Sequence, residues 1–213
     1  MVYTAQLAAA LSGATDRQLR YWRQSRKGQP PLLAPEHQVR PALYSYRDVV
    51  TLRMFAQLRE ELSLQKVRRA VAYIEQQLPP GAHISEEQIR SLPGGRSAVW
   101  ISKEGDYIDA VEQPGQPGIK VVMEDIFPSF RTFRGREVPD LVRPAAGLII
   151  NPGVRGGCPV AEGTRITFDR LAGLRRDGLS VAGVRRLYPS VSEESIQGAS
   201  DFAERVGELA QAA

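Results

Sequence analysis

Residues 163–209 read GTRITFDRLAGLRRDGLSVAGVRRLYPSVSEESIQGASDFAERVGEL, and this stretch decides the fold of the C-terminal part. Apolar residues at helical spacing run up to Gly178, which is a typical residue at the end of a helix. Ser180 and Ser192 then stand where N-cap residues of two further helices are expected. The pattern predicts a short strand over 163–167, followed by helices over 168–176, over 181–187 and from 193 onward.

The last of these helices is amphipathic. Glu193 and Glu194 in its first turn suit the helix dipole. Its apolar residues recur at the spacing of one helical face, and they are Ile196, Ala199, Phe202, Ala203, Val206 and Leu209. One strand and three helices within about fifty residues form a small domain.

This C-terminal segment resembles a small trihelical antitoxin family that has been catalogued as a domain of unknown function. The resemblance covers residues 149–209 and rests on the order and spacing of Pro159, Gly163 to Ile166, Gly178, the Tyr188-Pro189 pair and the capped last helix. It implies a homeodomain-like trihelical fold and a VapB-type antitoxin. Such domains are typically encoded beside a PIN-like ribonuclease toxin, which they bind and silence.

The implied toxin suggests which residues to consider for binding it. PIN-like sites hold acidic residues and a divalent metal, so an inserted arginine would block one by charge pairing. The candidates are Arg136, Arg143 and Arg165. For Arg165, a structural ion pair within a dimer remains an equal alternative.

The net charge of +4 is concentrated in the first quarter of the chain. Residues 1–47 contain seven lysines and arginines against two acids, whereas residues 151–213 contain eight of each. This excess is expected if only the first quarter meets a polyanion, although a solvated basic face is an equally good explanation of charge alone. No apolar run approaches the length of a membrane helix, and we expect no secretory signal. The single cysteine, Cys158, excludes an internal disulfide, so we expect a cytoplasmic protein.

The first 23 residues have the layout of a helix-turn-helix. Thr4 to Leu11 is predicted as a short helix that Gly13 ends. Thr15 and Gln18 have the spacing of a capping box, which predicts a second helix through Trp22. In a helix-turn-helix the second helix enters the major groove and presents its N-terminal residues to the bases.

Two further helices follow a Pro-rich stretch. Ser45 is placed to cap a third helix with Asp48 at its third position, and Ser63 is placed to cap a fourth. With these elements, residues 3–76 resemble the winged helix-turn-helix of the MerR family. The matching pieces are Leu19 to Trp22, Leu32 to Pro35, Leu43 to Ser45 and Leu62 to Leu64.

The resemblance and the local pattern together give a set of candidate DNA-binding residues. Arg17, Arg20 and Tyr21 would contact DNA from the recognition helix, and Arg40 and Tyr44 from the wing. Tyr21 could equally belong to the core. The complete set is Thr15, Asp16, Arg17, Arg20, Tyr21, Arg23, Arg26, Lys27, Arg40 and Tyr44.

The middle of the chain changes period after residue 92. The Ser85-Glu86-Glu87-Gln88 sequence predicts one short capped helix. Runs at 98–101, 107–111 and 119–123 alternate as strands do and predict a small three-stranded meander. No phosphate loop, metal-ligand spacing or set of nucleophile, base and acid is found, so neither an enzyme nor a cofactor or metal site is predicted.

Residues 126–134 combine phenylalanines and arginines. This stretch is either a strap that binds a partner or a connector whose Phe127, Phe130 and Phe133 anchor it to its neighbours. The connector is the favoured interpretation.

The sequence thus predicts a mainly α protein with a small β-meander. We expect a MerR-like winged helix-turn-helix over 1–78, a short helix, meander and connector over 79–148, and the trihelical domain over 149–213. The expected function is that of an antitoxin that binds operator DNA as a homodimer and neutralises a PIN-like ribonuclease. The alternative is a MerR-like regulator that senses a small ligand through its middle region.

Overall fold

The computed structural model describes residues 3–25, 28–37, 41–91, 97–101, 106–117, 126–132 and 134–211. In these ranges the chain is mainly helical with small antiparallel sheets, which confirms the predicted fold class. The described helices are α1 (Ala5–Ser12), α2 (Asp16–Trp22), α3 (Tyr46–Glu61), α4 (Leu64–Gln77), α5 (Phe168–Arg176), α6 (Val181–Leu187) and α7 (Glu193–Gln211). The described strands are β1 (Tyr3–Thr4), β2 (Leu43–Tyr44), β3 (Gln88–Ser91), β4 (Ala98–Ile101), β5 (Tyr107–Asp109), β6 (Phe130–Arg131), β7 (Glu137–Val138), β8 (Leu148–Ile149) and β9 (Val160–Ala161).

The first two helices begin and end at residues that the sequence predicts. Thr4 Oγ1 accepts a hydrogen bond from the Leu7 N–H at 3.3 Å and caps α1. Gly13 ends α1 in the left-handed region at φ 83°, where a residue with a Cβ would be strained. Thr15 and Gln18 form the predicted capping box, with Thr15 N–H donating to Gln18 Oε1 at 2.7 Å and Gln18 N–H donating to Thr15 Oγ1 at 3.1 Å.

Helices α3 and α4 also start at their predicted caps. Ser45 Oγ accepts from the Asp48 N–H at 3.1 Å, and Asp48 Oδ2 accepts from the Ser45 N–H at 2.8 Å. Ser63 Oγ accepts from the Lys66 N–H at 3.3 Å. The buried face of α4 consists of Val67, Ala70, Val71 and Ile74, as predicted.

The segment after Ser85 forms a strand, so the predicted short helix is wrong. A 3-10 turn spans Ile84–Glu86, and β3 follows it. Ile89 of β3 is fully buried and pairs with Trp100 of β4, whose Nε1 donates to Glu87 Oε2 at 2.7 Å. Pairing with the next strand, β4, therefore outweighs the local capping signal.

Strands β3, β4 and β5 form one antiparallel sheet in that order. Strand β5 ends at Asp109, earlier than the predicted end at residue 111. Asp109 Oδ1 accepts from the backbone N–H groups of Val111 and Glu112 at 2.8 and 2.9 Å, which turns the chain away from the sheet. The strand predicted at 119–123 lies outside the described residues.

A buried arginine of α3 holds the connector that follows. Arg53 is 0% exposed and donates to the carbonyl oxygens of Ile126, Phe127, Pro128 and, on α1, Leu11. Its guanidinium also lies 4.9 Å from the centre of the Phe130 ring. These contacts support the favoured interpretation of 126–134 as a connector, in which Phe133 lies outside the described residues.

The C-terminal region contains the three predicted helices, but its strand lies earlier than predicted. Strand β9 pairs with β8, and Glu162 to Ile166 form a turn in which Thr164 Oγ1 donates to the Ala161 carbonyl at 2.8 Å. The strand predicted over 163–167 is therefore wrong, because only Thr167 makes a bridge, to Val160. Ser180 and Ser192 cap α6 and α7 as predicted, each accepting a backbone N–H at 3.1 and 3.0 Å.

The N-terminal and C-terminal regions share one hydrophobic core. Helix α1 packs against α7. The Tyr3 hydroxyl donates to the Gly157 carbonyl at 2.5 Å. The adjacent Cys158 is buried, and burial raises the pKa of its thiol to about 11, which disfavours the reactive thiolate. None of the described helices combines the length and the hydropathy needed to cross a bilayer.

Candidate nucleic-acid interface

Helix α2 has one buried side and one exposed side. Leu19 and Trp22 are buried at 1% and 2% exposure. Arg17, Arg20 and Tyr21 are exposed, and their spacing of three and four residues places them on neighbouring positions of one helical surface. The structure therefore brings together the three residues that the sequence proposes for groove contact.

Arg20 is not isolated on this surface. It forms an ion pair with Asp16 one turn earlier, and the two side chains are 59% and 30% exposed. Exposed pairs of this kind contribute little stability, so a phosphate or a base edge can replace Asp16 as the partner of Arg20. Tyr21 is 37% exposed, which places its ring at the surface rather than in the core.

The other residues proposed to bind DNA lie in different environments. Tyr44 is 1% exposed, which contradicts its predicted place on the DNA-facing surface, because its ring packs in the core. Burial raises the pKa of Tyr44, and the half-buried Arg23 beside its hydroxyl acts in the opposite direction. Thr15 is committed to capping α2. Arg26, Lys27 and Arg40 lie outside the described residues.

The segment that contains Leu32 and Leu33 packs against the C-terminal end of α2. Leu32 and Leu33 are buried, and their N–H groups donate to the Trp22 carbonyl at 2.8 and 3.3 Å. The Trp22 ring packs edge-on against Phe55 of α3 with ring centres 6.1 Å apart. These contacts fix the end of α2 on the core while its arginines stay exposed.

The hairpin formed by β6 and β7 lies beside α2. The sequence does not predict this position. Arg136 is half-buried and donates to the Gly13 carbonyl in the turn between α1 and α2. Burial lowers the pKa of Arg136. Its predicted role in toxin binding competes with this structural contact, because the guanidinium already fixes the hairpin to the helix-turn-helix.

A cleft of about 460 Å³ separates the hairpin from α2. Arg17, Gln18 and Tyr21 line it from α2, and Thr132, Arg134 and Arg136 line it from the hairpin segment. Arg59, Glu60 and Leu64 of the α3–α4 corner close its remaining side. The aromatic and basic composition of 126–134 was the one sequence signal for this arrangement, but composition alone gives no location.

The other two candidates for toxin binding lie on the C-terminal region. Arg143 makes a two-pronged ion pair with Glu162, with Nη2–Oε1 and Nη1–Oε2 distances of 2.8 and 3.1 Å. Arg165 is exposed and lines a second cleft with Arg155 and Arg170. Arg170 Nε donates to the Tyr188 hydroxyl at 3.1 Å in the same place.

The C-terminal region is divided by charge although its total is balanced. Residues 149–192 contain seven arginines and three acids, whereas residues 193–213 contain one arginine and five acids. The basic part includes the arginines of α5 and α6, and the acidic part is α7. Among the described residues, no cluster of three or more histidine, cysteine, aspartate and glutamate side chains could hold a metal ion.

Comparison with known proteins finds one matching family model at each end of the chain. Residues 3–74 match the model of the MerR helix-turn-helix family of regulatory proteins, a class that binds DNA. Residues 149–203 match the model of a family described as a protein of unknown function, DUF433. Neither model spans half of the chain, so the two matches describe its parts.

Among solved structures, the X-ray crystal structure of Rv2018 from Mycobacterium tuberculosis has the same overall fold. The two chains are 14% identical and superpose with a TM-score of 0.50, over 93% of this chain and 96% of that one. At this identity the similarity concerns the fold alone. No curated protein matches the chain.

Proposed function

We propose that this protein is an antitoxin that represses its own operon through α2 and neutralises a PIN-like ribonuclease through its C-terminal region. The observation that carries the DNA-binding half is the exposed face of α2 with Arg17, Arg20 and Tyr21, inside the segment that matches MerR regulators. The first 47 residues also carry a net charge of +5. Basic side chains on a recognition helix supply both phosphate contacts and base contacts.

The geometry of a helix-turn-helix predicts how this protein would be arranged on its operator. A single α2 reads a few base pairs, so a homodimer with two half-sites about 10 base pairs apart would provide the specificity that a repressor needs. The homodimer is part of the proposal. Its mass in solution, free and on DNA, tests it directly.

The double variant R17A/R20A tests DNA binding. Each arginine contributes about 1–3 kcal/mol to a specific complex, so we expect affinity for the DNA upstream of the protein's own gene to fall at least tenfold. Fluorescence anisotropy at several salt concentrations measures both the affinity and its salt dependence. The matched control is R176A/R186A, which removes the same charge from two exposed arginines of α5 and α6.

Two results would contradict the DNA-binding half. The first is an affinity of the full chain for DNA that does not change with salt, since phosphate contacts release counterions. The second is an equal loss of affinity in R17A/R20A and in the control, which would indicate a charge effect without any role for α2.

The toxin-binding half of the proposal rests on the charge division of the C-terminal region and on the resemblance to trihelical antitoxins. A nuclease site rich in carboxylates is complementary to the exposed arginines around Arg165. Arg165 is the first choice among the three candidates, because Arg143 would have to give up Glu162 and Arg136 the Gly13 carbonyl. Arg155 and Arg170 lie at the same cleft and extend the proposed surface.

Purification of the tagged chain from its native cell, followed by mass spectrometry, tests this half. We expect a small nuclease at near-equal stoichiometry, and we expect R165A/R170A to reduce its recovery while R176A leaves it unchanged. Recovery of a small molecule with no protein would instead favour the alternative, a MerR-like regulator that senses a ligand through its middle region.

A further inference from the structure

We propose that the β6–β7 hairpin, of which the structure describes residues 130–132 and 134–138, is a second DNA-contacting element that binds the phosphate backbone beside α2. This inference rests on the proposed binding of DNA by α2 and extends it. The hairpin lies outside residues 3–74, so the match to MerR regulators does not supply it.

The hairpin is fixed against the turn of the helix-turn-helix. Arg136 donates to the carbonyl oxygen of Gly13, and Val138 is 0% exposed. A Cβ on Gly13 would lie 2.9 Å from Val138 Cγ2 and 3.0 Å from Phe130 Cζ. The absence of a side chain at Gly13 is therefore what allows the hairpin to lie directly on this turn.

Arg53 fixes the beginning of the hairpin from the other side. It donates to the carbonyl oxygens of Phe127 and Pro128 at 3.2 and 2.5 Å, and its guanidinium lies over the ring of Phe130. Because Arg53 belongs to α3, the hairpin is tied to the same rigid unit that supports α2. Its exposed arginines therefore have a defined position relative to the recognition helix.

The hairpin and α2 face the same cleft. Arg17 and Tyr21 of α2 line this cleft from one side, and Arg134 and Thr132 line it from the other. Two of the three α2 residues proposed to contact DNA, Arg17 and Tyr21, thus lie at the cleft next to the hairpin, whereas Arg20 does not line it. The major groove of B-DNA is about 12 Å wide, so a helix inside it has phosphates on both flanks, within reach of an adjacent element.

The chemistry of the hairpin suits a phosphate backbone. Residues 129–138 contain three arginines and one acid. Arg131 is 76% exposed, and its Nη2 lies 3.9 Å from an oxygen of Glu137, which is 65% exposed. A pair this long and this exposed contributes little, so phosphate oxygens can replace Glu137. Gly135 adopts φ 77° at the tip and allows the tight turn on which Arg134 is carried.

These observations favour DNA over a protein partner for this surface. A partner protein could also pair with arginines, but the described residues of the hairpin expose no large apolar side chain of the kind that anchors a protein interface. The hairpin lies beside Arg17 and Tyr21, where the phosphates that flank an occupied groove would be. These phosphates are regularly spaced and negatively charged throughout, so they suit the hairpin arginines. The hairpin would act on all sequences equally, since phosphate contacts carry no base information.

The double variant R131A/R134A in the full chain tests the inference. The probes are two duplexes of about 30 base pairs, long enough for two half-sites: the DNA upstream of the protein's own gene and a scrambled sequence of equal composition. We expect affinity to fall by a similar factor on both duplexes. The slope of log affinity against log salt should decrease by about 2, one for each lost phosphate contact. Thermal melting followed by circular dichroism verifies that the variant is folded.

R17A/R20A and the control R176A/R186A, assayed in parallel, separate the possible failures. If R131A/R134A binds both duplexes as the unchanged chain does while R17A/R20A loses affinity, the hairpin does not contact DNA and the function of α2 stands. Tighter binding by R131A/R134A would also overturn the inference, because the hairpin would then shield α2. If the unchanged chain shows no salt-dependent binding, the proposed function fails together with this extension.

Discussion

Helices α1 and α2 near the N-terminus have the same layout as helices α5 and α6 near the C-terminus, yet their surfaces differ. In both pairs a glycine with positive φ lies in the turn, Gly13 at 83° and Gly178 at 90°. In both, the second helix starts at a hydroxyl cap, Thr15 or Ser180. The backbone layout alone therefore does not distinguish their roles.

Their surroundings do distinguish them. Gly13 is covered by the β6–β7 hairpin, whereas nothing lies within 4 Å of a Cβ placed on Gly178. The arginines of α2 belong to a segment with excess positive charge, whereas those of α5 and α6 are balanced by the acidic α7. A surface with a net positive charge suits a polyanion such as DNA, and a surface divided between the two signs suits a protein partner that also carries both signs. The elements that cover each turn and the distribution of charge, rather than the two-helix layout, therefore distinguish the proposed functions of the two regions.

The largest effect is expected from R53A. This substitution removes the guanidinium whose hydrogen bonds hold the segment before the hairpin against α1 and α3. The substitution leaves the buried carbonyl oxygen of Leu11 and the partly buried ones of Ile126 and Pro128 without this donor. We expect the free energy of unfolding to fall by about 3–5 kcal/mol, measured by urea denaturation, because several carbonyl oxygens lose their donor and the buried side chain leaves a cavity. DNA affinity should fall too, because the hairpin loses its fixed position.

Arg205 in α7 offers the matched control for R53A on the C-terminal side. Its guanidinium also lies over an aromatic ring, that of Phe202, and donates to a carbonyl, that of Pro144, but Arg205 is exposed. R205A should cost less than about 1 kcal/mol, as exposed contacts do. Equal losses in R53A and R205A would show that burial of Arg53 does not hold the hairpin.

The sequence reveals the parts of both regions that depend on near neighbours. The caps Thr15, Ser45, Ser180 and Ser192 each act on a residue three positions further along, so their spacing is visible without a structure. The exposed face of α2 follows from the same local periodicity.

What the sequence does not reveal depends on pairing between separate segments of the chain. The strand β3 exists because Ile89 pairs with Trp100, although its local pattern is that of a helix start. Arg53 reaches carbonyls 73 to 75 positions away, and Arg136 reaches one 123 positions away. No local pattern could place the hairpin beside α2, nor show that Tyr44 is covered by the core.

An intermediate effect is expected from alanine at the two turn glycines. Both substitutions force a Cβ into the left-handed region, which costs about 1 kcal/mol. G13A must also displace Val138 and Phe130, which adds about 1–3 kcal/mol, whereas Gly178 has open space around it. We therefore expect G13A to be the more destabilising of the two by thermal and urea denaturation.

We also expect the two glycine variants to differ in their affinity for DNA. G13A pushes the hairpin away from the turn and should weaken DNA binding in the folded variant, whereas G178A should leave it unchanged. If both variants lost the same stability and kept the same DNA affinity, the hairpin would not be fixed on the turn in solution.

The smallest effect is expected at the two caps, where T15A and S180A each remove one side-chain hydrogen bond to a helix N-terminus. Each should cost about 1 kcal/mol. The α2 cap is reciprocal, because Gln18 also accepts from the Thr15 N–H, whereas the corresponding position of α6 is Gly183, which has no side chain to return the bond. Q18A should therefore cost further stability at α2, with no counterpart at α6.

The cap of α2 also sets the position of Arg17 in its first turn, so T15A should lower DNA affinity severalfold, whereas S180A should change only the melting temperature. Equal DNA affinity in T15A and S180A would show that α2 and α6 do not differ in the role we propose.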